Sequence, residues 1–173
     1  CAIECQTIHG IKTQPSRSTM PTEIERKFLV NDLAILKGLT GTKMAQGYIA
    51  DNGMTVRVRV AGEQGFLTLK GKTQGLSRAE FEYEIPLADA EALLANFSTL
   101  GRVQKVRYYL PVGELTFEID VFEQELAGLV VAEVELPSED HPVPALAWLG
   151  QEVSLDARYR NSELALARTP PTR

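Results

Sequence analysis

Charged residues spaced two apart, with apolar residues between them, recur along this chain. Residues 23 to 27 read Glu-Ile-Glu-Arg-Lys, which on a β-strand sets Glu23, Glu25 and Lys27 on one face and Ile24, Arg26 and Phe28 on the other. Arg57 and Arg59 alternate with Val56, Val58 and Val60, Lys70 and Lys72 follow Leu67 and Leu69, and Glu80, Glu82 and Glu84 alternate with Phe81, Tyr83 and Ile85. Lys105 and Arg107 come next, then Glu118 and Asp120 among Phe117, Ile119 and Val121, then Glu133 and Glu135 around Val134. The period of two predicts strands over 22–30, 43–50, 54–61, 65–72, 78–86, 102–110, 114–122 and 129–136. Turns at Asp51-Asn52-Gly53, Ala61-Gly62-Glu63-Gln64 and Pro111-Val112-Gly113 join neighbouring strands as hairpins. Helical spacing appears over 31–39, where Asn31 or Asp32 can cap, and over 88–99, where Leu93, Leu94 and Phe97 share a face. A short helix around Ala145 to Trp148 is expected to cover the apolar exterior, and a last one runs from about Asn161, as N-cap, to Ala167.

Most of the doublets carry one sign, and like charges adjacent on one strand face repel unless a counter-charge lies near. Acidic and basic strands facing each other across an enclosed space supply it, with the apolar faces turned outward under helices. The fold expected is α+β, mainly β: an eight-stranded antiparallel closed barrel with a charged interior and flanking helices. The competing architecture is a one-sided antiparallel sheet whose charged face meets water.

The 173 residues suffice for one domain, expected over 20–168, with a short tail over 169–173. Residues 1–19 lack hydrophobic periodicity and are expected to be a disordered extension, an upstream read-through or an expression remnant. A net charge of -5 disfavours a nucleic-acid partner, so any basic function has to come from local clustering. Both cysteines, Cys1 and Cys5, fall in the extension, and His141 is the one histidine of the body. A Cys/His zinc site, a cysteine nucleophile and a nucleotide-cradling glycine loop are thereby excluded. No apolar run reaches membrane-spanning length, so neither a membrane span nor secretion is expected, and a cysteine-free body fits the cytoplasm. Nothing in the chain fixes the oligomeric state, and a homodimer is left open.

The predicted interior sets Lys27, Arg57, Arg59, Lys70, Lys72, Arg78, Lys105 and Arg107 against Glu23, Glu25, Glu80, Glu82, Glu118, Asp120, Glu133 and Glu135. Burying so many charges costs several kcal/mol each unless they are paired, so stability alone would not select them. A ligand that demands many cations is a polyanion, and one that also demands carboxylates arrives with hard divalent metals. Polyphosphate with Mg2+ or Mn2+ meets both demands. Arginine supplies forks for phosphate oxygens, lysine supplies point charges, and carboxylates hold the metals.

From about Thr22 to Leu166 the chain resembles the CYTH superfamily, the triphosphate tunnel metalloenzymes. The motifs that carry the resemblance are E-x-E-x-K at Glu23, Glu25 and Lys27, VRVR at 56–59, TLKGK at 68–72, SRAEFEYEI at 77–85, KVRYY at 105–109, FEIDVF at 117–122 and AEVEL at 132–136. A lone E-x-E-x-K would be weak; seven motifs in order are specific. With RKFLV at 26–30, QGY at 46–48 and RYRNSELALA at 158–167, the likeness is greatest to the small bacterial inorganic triphosphatases. The resemblance implies an eight-stranded tunnel and metal-dependent hydrolysis of tripolyphosphate to pyrophosphate and phosphate. It implies metal binding by Glu23, Glu25, Glu133 and Glu135, with Glu82, Glu118 and Asp120 completing the acidic wall or orienting water. It gives the phosphates to Lys27, Arg57, Arg59, Lys70, Lys72, Lys105 and Arg107. It also implies a catalytic pair of Lys27 and Tyr48, with Tyr48 as proton acceptor. An ordinary tyrosine titrates near ~10, so a Tyr48 that only hydrogen-bonds a phosphate is the equal alternative. Arg78 and Arg158 are further phosphate candidates or carboxylate-paired surface residues, and Glu84 is placed at the tunnel mouth. Thiamine triphosphatase, a class IV type adenylate cyclase and a polyphosphate-binding module are the competing functions.

Overall fold

Each run of alternating charged and apolar residues forms a strand in the computed structural model, which describes residues 21–172. The extension expected over 1–19, with both cysteines, lies outside the described residues. The strands are β1 (Thr22–Val30), β2 (Thr42–Asp51), β3 (Thr55–Ala61), β4 (Gln64–Lys70), β5 (Ser77–Ile85), β6 (Arg102–Val112), β7 (Leu115–Phe122), β8 (Val130–Glu135) and β9 (Leu149–Glu152). Neighbours follow the order β5-β4-β3-β2-β6-β7-β8-β1-β9, and β5 also pairs with β1, so that eight strands form a ring with β9 appended to β1. All the pairings are antiparallel. The β1–β5 seam is short, carried by Thr22↔Ala79, Glu23↔Arg78 and Ile24↔Ser77. Side by side on neighbouring strands of the ring's inner face are Lys27↔Glu133, Arg107↔Asp120 and Thr68↔Glu82, which the strand register brings level.

The two α-helices do different work. α1 (Leu87–Phe97) lies on the outer side of β4, β3 and β2, where its buried Ala90 packs so closely that a Cβ at Gly65 would stand 2.6 Å from it. α2 (Asn161–Ala167) places Leu164 and Ala165 against Leu29, Tyr48, Val103, Phe122 and Val131, all of which have the inward parity of their strands. Together with Val153 and Tyr159 they close one end of the ring with apolar side chains. Gly101 makes this closure fit: its φ is +100°, and a Cβ there would lie 2.3 Å from the Ala165 carbonyl oxygen. The outward faces of β1, β7 and β8 form a second core from Phe28, Val30, Phe117, Ile119, Ala132 and Val134, covered by Leu146, Trp148 and Leu149. Trp148 meets Phe117 edge-on, with ring centroids 5.2 Å apart and planes at 81°.

Four sequence expectations are corrected. The helix expected over 31–39 is a single 3-10 turn, Leu33–Leu36, capped by Asp32, whose carboxylate accepts from the Ala34 amide at 2.8 Å. Leu33 is exposed, only Ile35 and Leu36 of the turn pack on the core, and Gly38 follows with a φ of 85°, so the segment does not continue as a longer helix. The helix expected around Ala145 to Trp148 is an irregular segment leading into β9, a ninth strand that pairs Phe28↔Glu152 and Val30↔Leu149. Asn161 is the first residue of α2 and not its cap; Arg160 holds the cap position, leaving the Asn161 amide for another partner. β4 ends at Lys70, so Lys72 falls on an exposed loop instead of a strand.

Candidate active site

Inside the ring is a cavity of about 600 Å3. The alternation of the strands sends into it Glu23, Glu25 and Lys27 from β1, Tyr48 from β2, Arg57 and Arg59 from β3, Lys70 from β4, and Arg78, Glu80 and Glu82 from β5. Arg107, Glu118, Glu133 and Glu135 enter from β6, β7 and β8, while Arg160, Asn161 and Ser162 line it from the start of α2.

Two networks tie these charges together. In one, Lys27 Nζ stands 2.6 Å from Glu25 and donates to Glu133, which also accepts from Arg107 at 2.8 Å. Burial opposes the charge on Lys27, yet Glu133 and Glu25 outweigh it and raise its pKa. Burial likewise works against an ionised Glu133, and Lys27, Lys105 and Arg107 hold it well below the usual carboxylate range. In the other network Glu82 accepts from Arg57 at 3.0 Å, Arg59 at 2.8 Å and Thr68 at 2.8 Å. Glu23 accepts from Lys70 at 3.2 Å and Arg78 at 2.9 Å, and Glu80 lies 2.7 Å from Lys70. Burial and the adjoining Glu23 push the Glu80 carboxyl up to about 7. Burial, followed by Glu23 and Glu25, raises Glu135 as well.

Arg57 and Arg59 also have buried Nε donors for which the described residues supply no acceptor. Buried donors of this kind are uncommon and call for an acceptor from elsewhere.

Several residues singled out in the sequence stand apart from the cavity. Lys105 and Asp120 are 1% and 0% exposed and lie behind its wall. There Asp120 accepts from Lys105 at 2.5 Å and from both Nε and a terminal nitrogen of Arg107 at 2.7 and 2.6 Å. Both Asp120 oxygens are thus engaged by Arg107, which the carboxylate orients, and Asp120 is not among the residues lining the cavity. Lys72 is exposed on its loop, Arg158 is held on the surface by Asp156 at 2.7 Å, and Glu84 is exposed outside the lining. Arg78 does line the cavity. Sequence reasoning gave no role to Glu80 and overlooked Arg160, Asn161, Ser162 and His141, which also lines the cavity. These come from loops and a helix start, where no period of two marks direction.

The donor set suits a hard divalent cation: oxygen only, with repulsion among Glu23, Glu25, Glu80 and Glu135 that two raised carboxyl pKa values register and that a cation would relieve. As they stand, among the described residues no three carboxylates or histidines are grouped to ligate a metal. Each inward carboxylate of the networks is instead occupied by lysine or arginine.

A CYTH domain model matches residues 21–169. The inorganic triphosphatase of Acetivibrio thermocellus is 42% identical over 146 residues, spanning 84% of this chain and 94% of that protein. The inorganic triphosphatase of Nitrosomonas europaea is 42% identical over 156 residues, spanning 84% of this chain and 98% of that protein. A crystal structure of an inorganic triphosphatase superposes with a TM-score of 0.60 at 36% identity, covering 86% of this chain and 100% of the other. A protein of Pyrococcus horikoshii, 22% identical with a TM-score of 0.53 over 68% of this chain and 80% of its own, shares the fold.

Proposed function

The chain belongs to the CYTH domain family, and from that premise we propose that it is an inorganic triphosphatase, splitting tripolyphosphate into pyrophosphate and phosphate with Mg2+ or Mn2+. The ring of strands serves as a barrel-shaped tunnel, stoppered at the α2 end, and the reaction takes place in its charged interior. The observation that carries this reading is the pair of buried, acceptorless Nε donors on Arg57 and Arg59 in a cavity lined with further cations.

In the proposed arrangement Lys27, Arg57, Arg59, Lys70, Arg78 and Arg107 bind phosphate oxygens, exchanging carboxylate partners for substrate. Glu23, Glu25, Glu133 and Glu135 hold the divalent ion, with Glu82 and Glu118 completing the acidic wall. When bound, such an ion neutralises phosphate charge and acidifies a coordinated water. The chain itself fixes the reactant and excludes bulk water, and phosphoryl transfer draws most of its acceleration from such positioning and electrostatics. Asp120 and Lys105 act from behind, by holding the Arg107 fork in place. Lys72 takes no part. Tyr48 is assigned the role of hydrogen-bond donor: Gln46 already donates to its oxygen at 2.7 Å, which leaves its own proton for a phosphate.

The test is phosphate release from tripolyphosphate, ATP, thiamine triphosphate and pyrophosphate, each with Mg2+, Mn2+ or EDTA. Metal-dependent release from tripolyphosphate, well ahead of ATP and thiamine triphosphate, is expected. Faster release from either organic triphosphate would move the assignment to that substrate. No release at all, with polyphosphate still bound, would reduce the protein to a binding module.

A further inference from the structure

Six of the cations that line the cavity, Lys27, Arg57, Arg59, Lys70, Arg78 and Arg107, each lie within 4.0 Å of a carboxylate. Arg160 lines the same cavity and makes no ion pair within the described residues. The next residue is incomplete in the complementary sense. Asn161 donates through Nδ2 to Glu133 at 3.4 Å, which fixes the sense of the amide, and its buried Oδ1 then has no donor. Ser162 adds a hydroxyl to the same stretch of lining. Three consecutive residues of the lining thus bring an arginine without an ion pair, an orphaned carbonyl oxygen and a serine, and Asn161 ties the stretch to Glu133, the carboxylate that holds Lys27 and Arg107.

We propose that Arg160, with Asn161 and Ser162, forms a subsite for a terminal, unesterified phosphate at the α2 end of the cavity. The chemistry selects an end of the chain over its middle. A terminal phosphate presents acceptor oxygens to Arg160 and Ser162 and, in its monoprotonated form, a P–OH that donates to Asn161 Oδ1. An internal phosphate has no donor, and an ester at this position would replace the hydroxyl with a carbon chain directed at the apolar stopper. Because Leu164 and Ala165 are buried in that stopper, Arg160 is held by a helix that cannot retreat without uncovering the core. The other six cations are neutralised before substrate arrives, whereas Arg160 needs no carboxylate displaced. It therefore gives the incoming anion its first uncompensated charge and sets which end enters first.

This subsite rests on the triphosphatase reading, and binding without turnover separates the two. Tripolyphosphate affinity is measured by calorimetry in EDTA, and KM and kcat with Mg2+, for the wild type, Arg160→Ala, Arg160→Lys and Arg158→Ala. The last removes an equal charge two residues away, outside the cavity. For Arg160→Ala the expected result is binding weakened about tenfold or more and KM raised in step, with kcat within about threefold. Arg160→Lys should recover part of the loss and Arg158→Ala should match the wild type. A loss below about tenfold for Arg160→Ala, or an equal loss for Arg158→Ala, overturns the subsite. If the wild type binds tripolyphosphate through Arg160 yet releases no phosphate, the hydrolytic reading falls and the subsite stands.

Discussion

Tyr48 sits 4% exposed among charges of both signs, and burial raises its pKa to about 12 against the pull of Arg57 and Lys27. A phenol so placed keeps its proton at neutral pH, which makes it a donor. Tyr48→Phe should therefore lower kcat/KM for tripolyphosphate by about tenfold, the worth of one hydrogen bond to a charged group, without changing the shape of the pH–rate profile. A loss of about a thousandfold or more, with an altered alkaline limb, would make Tyr48 the proton acceptor after all. Asp120 gives a second lesson at this scale. Its alternation with Phe117, Ile119 and Val121 told which face it occupied, and that reading matches the structure. Its depth was not legible, because depth depends on where β7 slides against β6, and the slide puts Asp120 behind Arg107 rather than in the cavity lining. Lys105 shares this fate: burial first, and Arg107 next, push it down to about 8, against the support of Asp120.

Among the elements, the strands were readable because a two-residue period marks a strand with one charged and one apolar face, and each strand has two neighbours to enforce it. β9 escaped notice since it spans only Leu149–Glu152 and pairs with β1 alone, so tertiary contact creates it. The segment before it misled for a related reason: Leu146, Trp148 and Leu149 look like a helical face but are apolar because they cover Phe117 and its neighbours. α2 was legible in extent and not in purpose. It has only seven residues, below the length at which a helix holds itself together in water, so its position is set by packing. Gly101→Ala tests that dependence. The added methyl collides with the Ala165 carbonyl, and the positive φ is strained for alanine. Urea unfolding should show a loss of about 1–3 kcal/mol, and KM for tripolyphosphate should rise as Arg160 shifts with the helix. A variant as stable as the wild type would mean that α2 is free to yield.

Across the whole molecule, the pairing of Glu23 with Glu80 couples stability to pH. The folded chain raises Glu80 from 4.5 to about 7, so it holds that proton more tightly than the unfolded chain does. The resulting stabilisation is complete below about pH 4.5 and is lost as pH rises to about 7. Glu23 is depressed and acts in the opposite direction, its contribution being lost only in acid. In EDTA, unfolding free energies measured between about pH 5 and 7 should fall for the wild type relative to Glu80→Gln, whose curve should be flatter. Parallel curves would show that Glu80 titrates normally. The ring itself carries a consequence for how the molecule is made. β2 to β5 and β6 to β8 each pair with their successors, whereas β1 pairs only with β5, β8 and β9. β1 is made before all three partners and must wait for them, the slow non-local kind of contact. It carries Glu23, Glu25 and Lys27, so these three charges take their places in the vessel's wall only once β8 has been made and β1 docks on it.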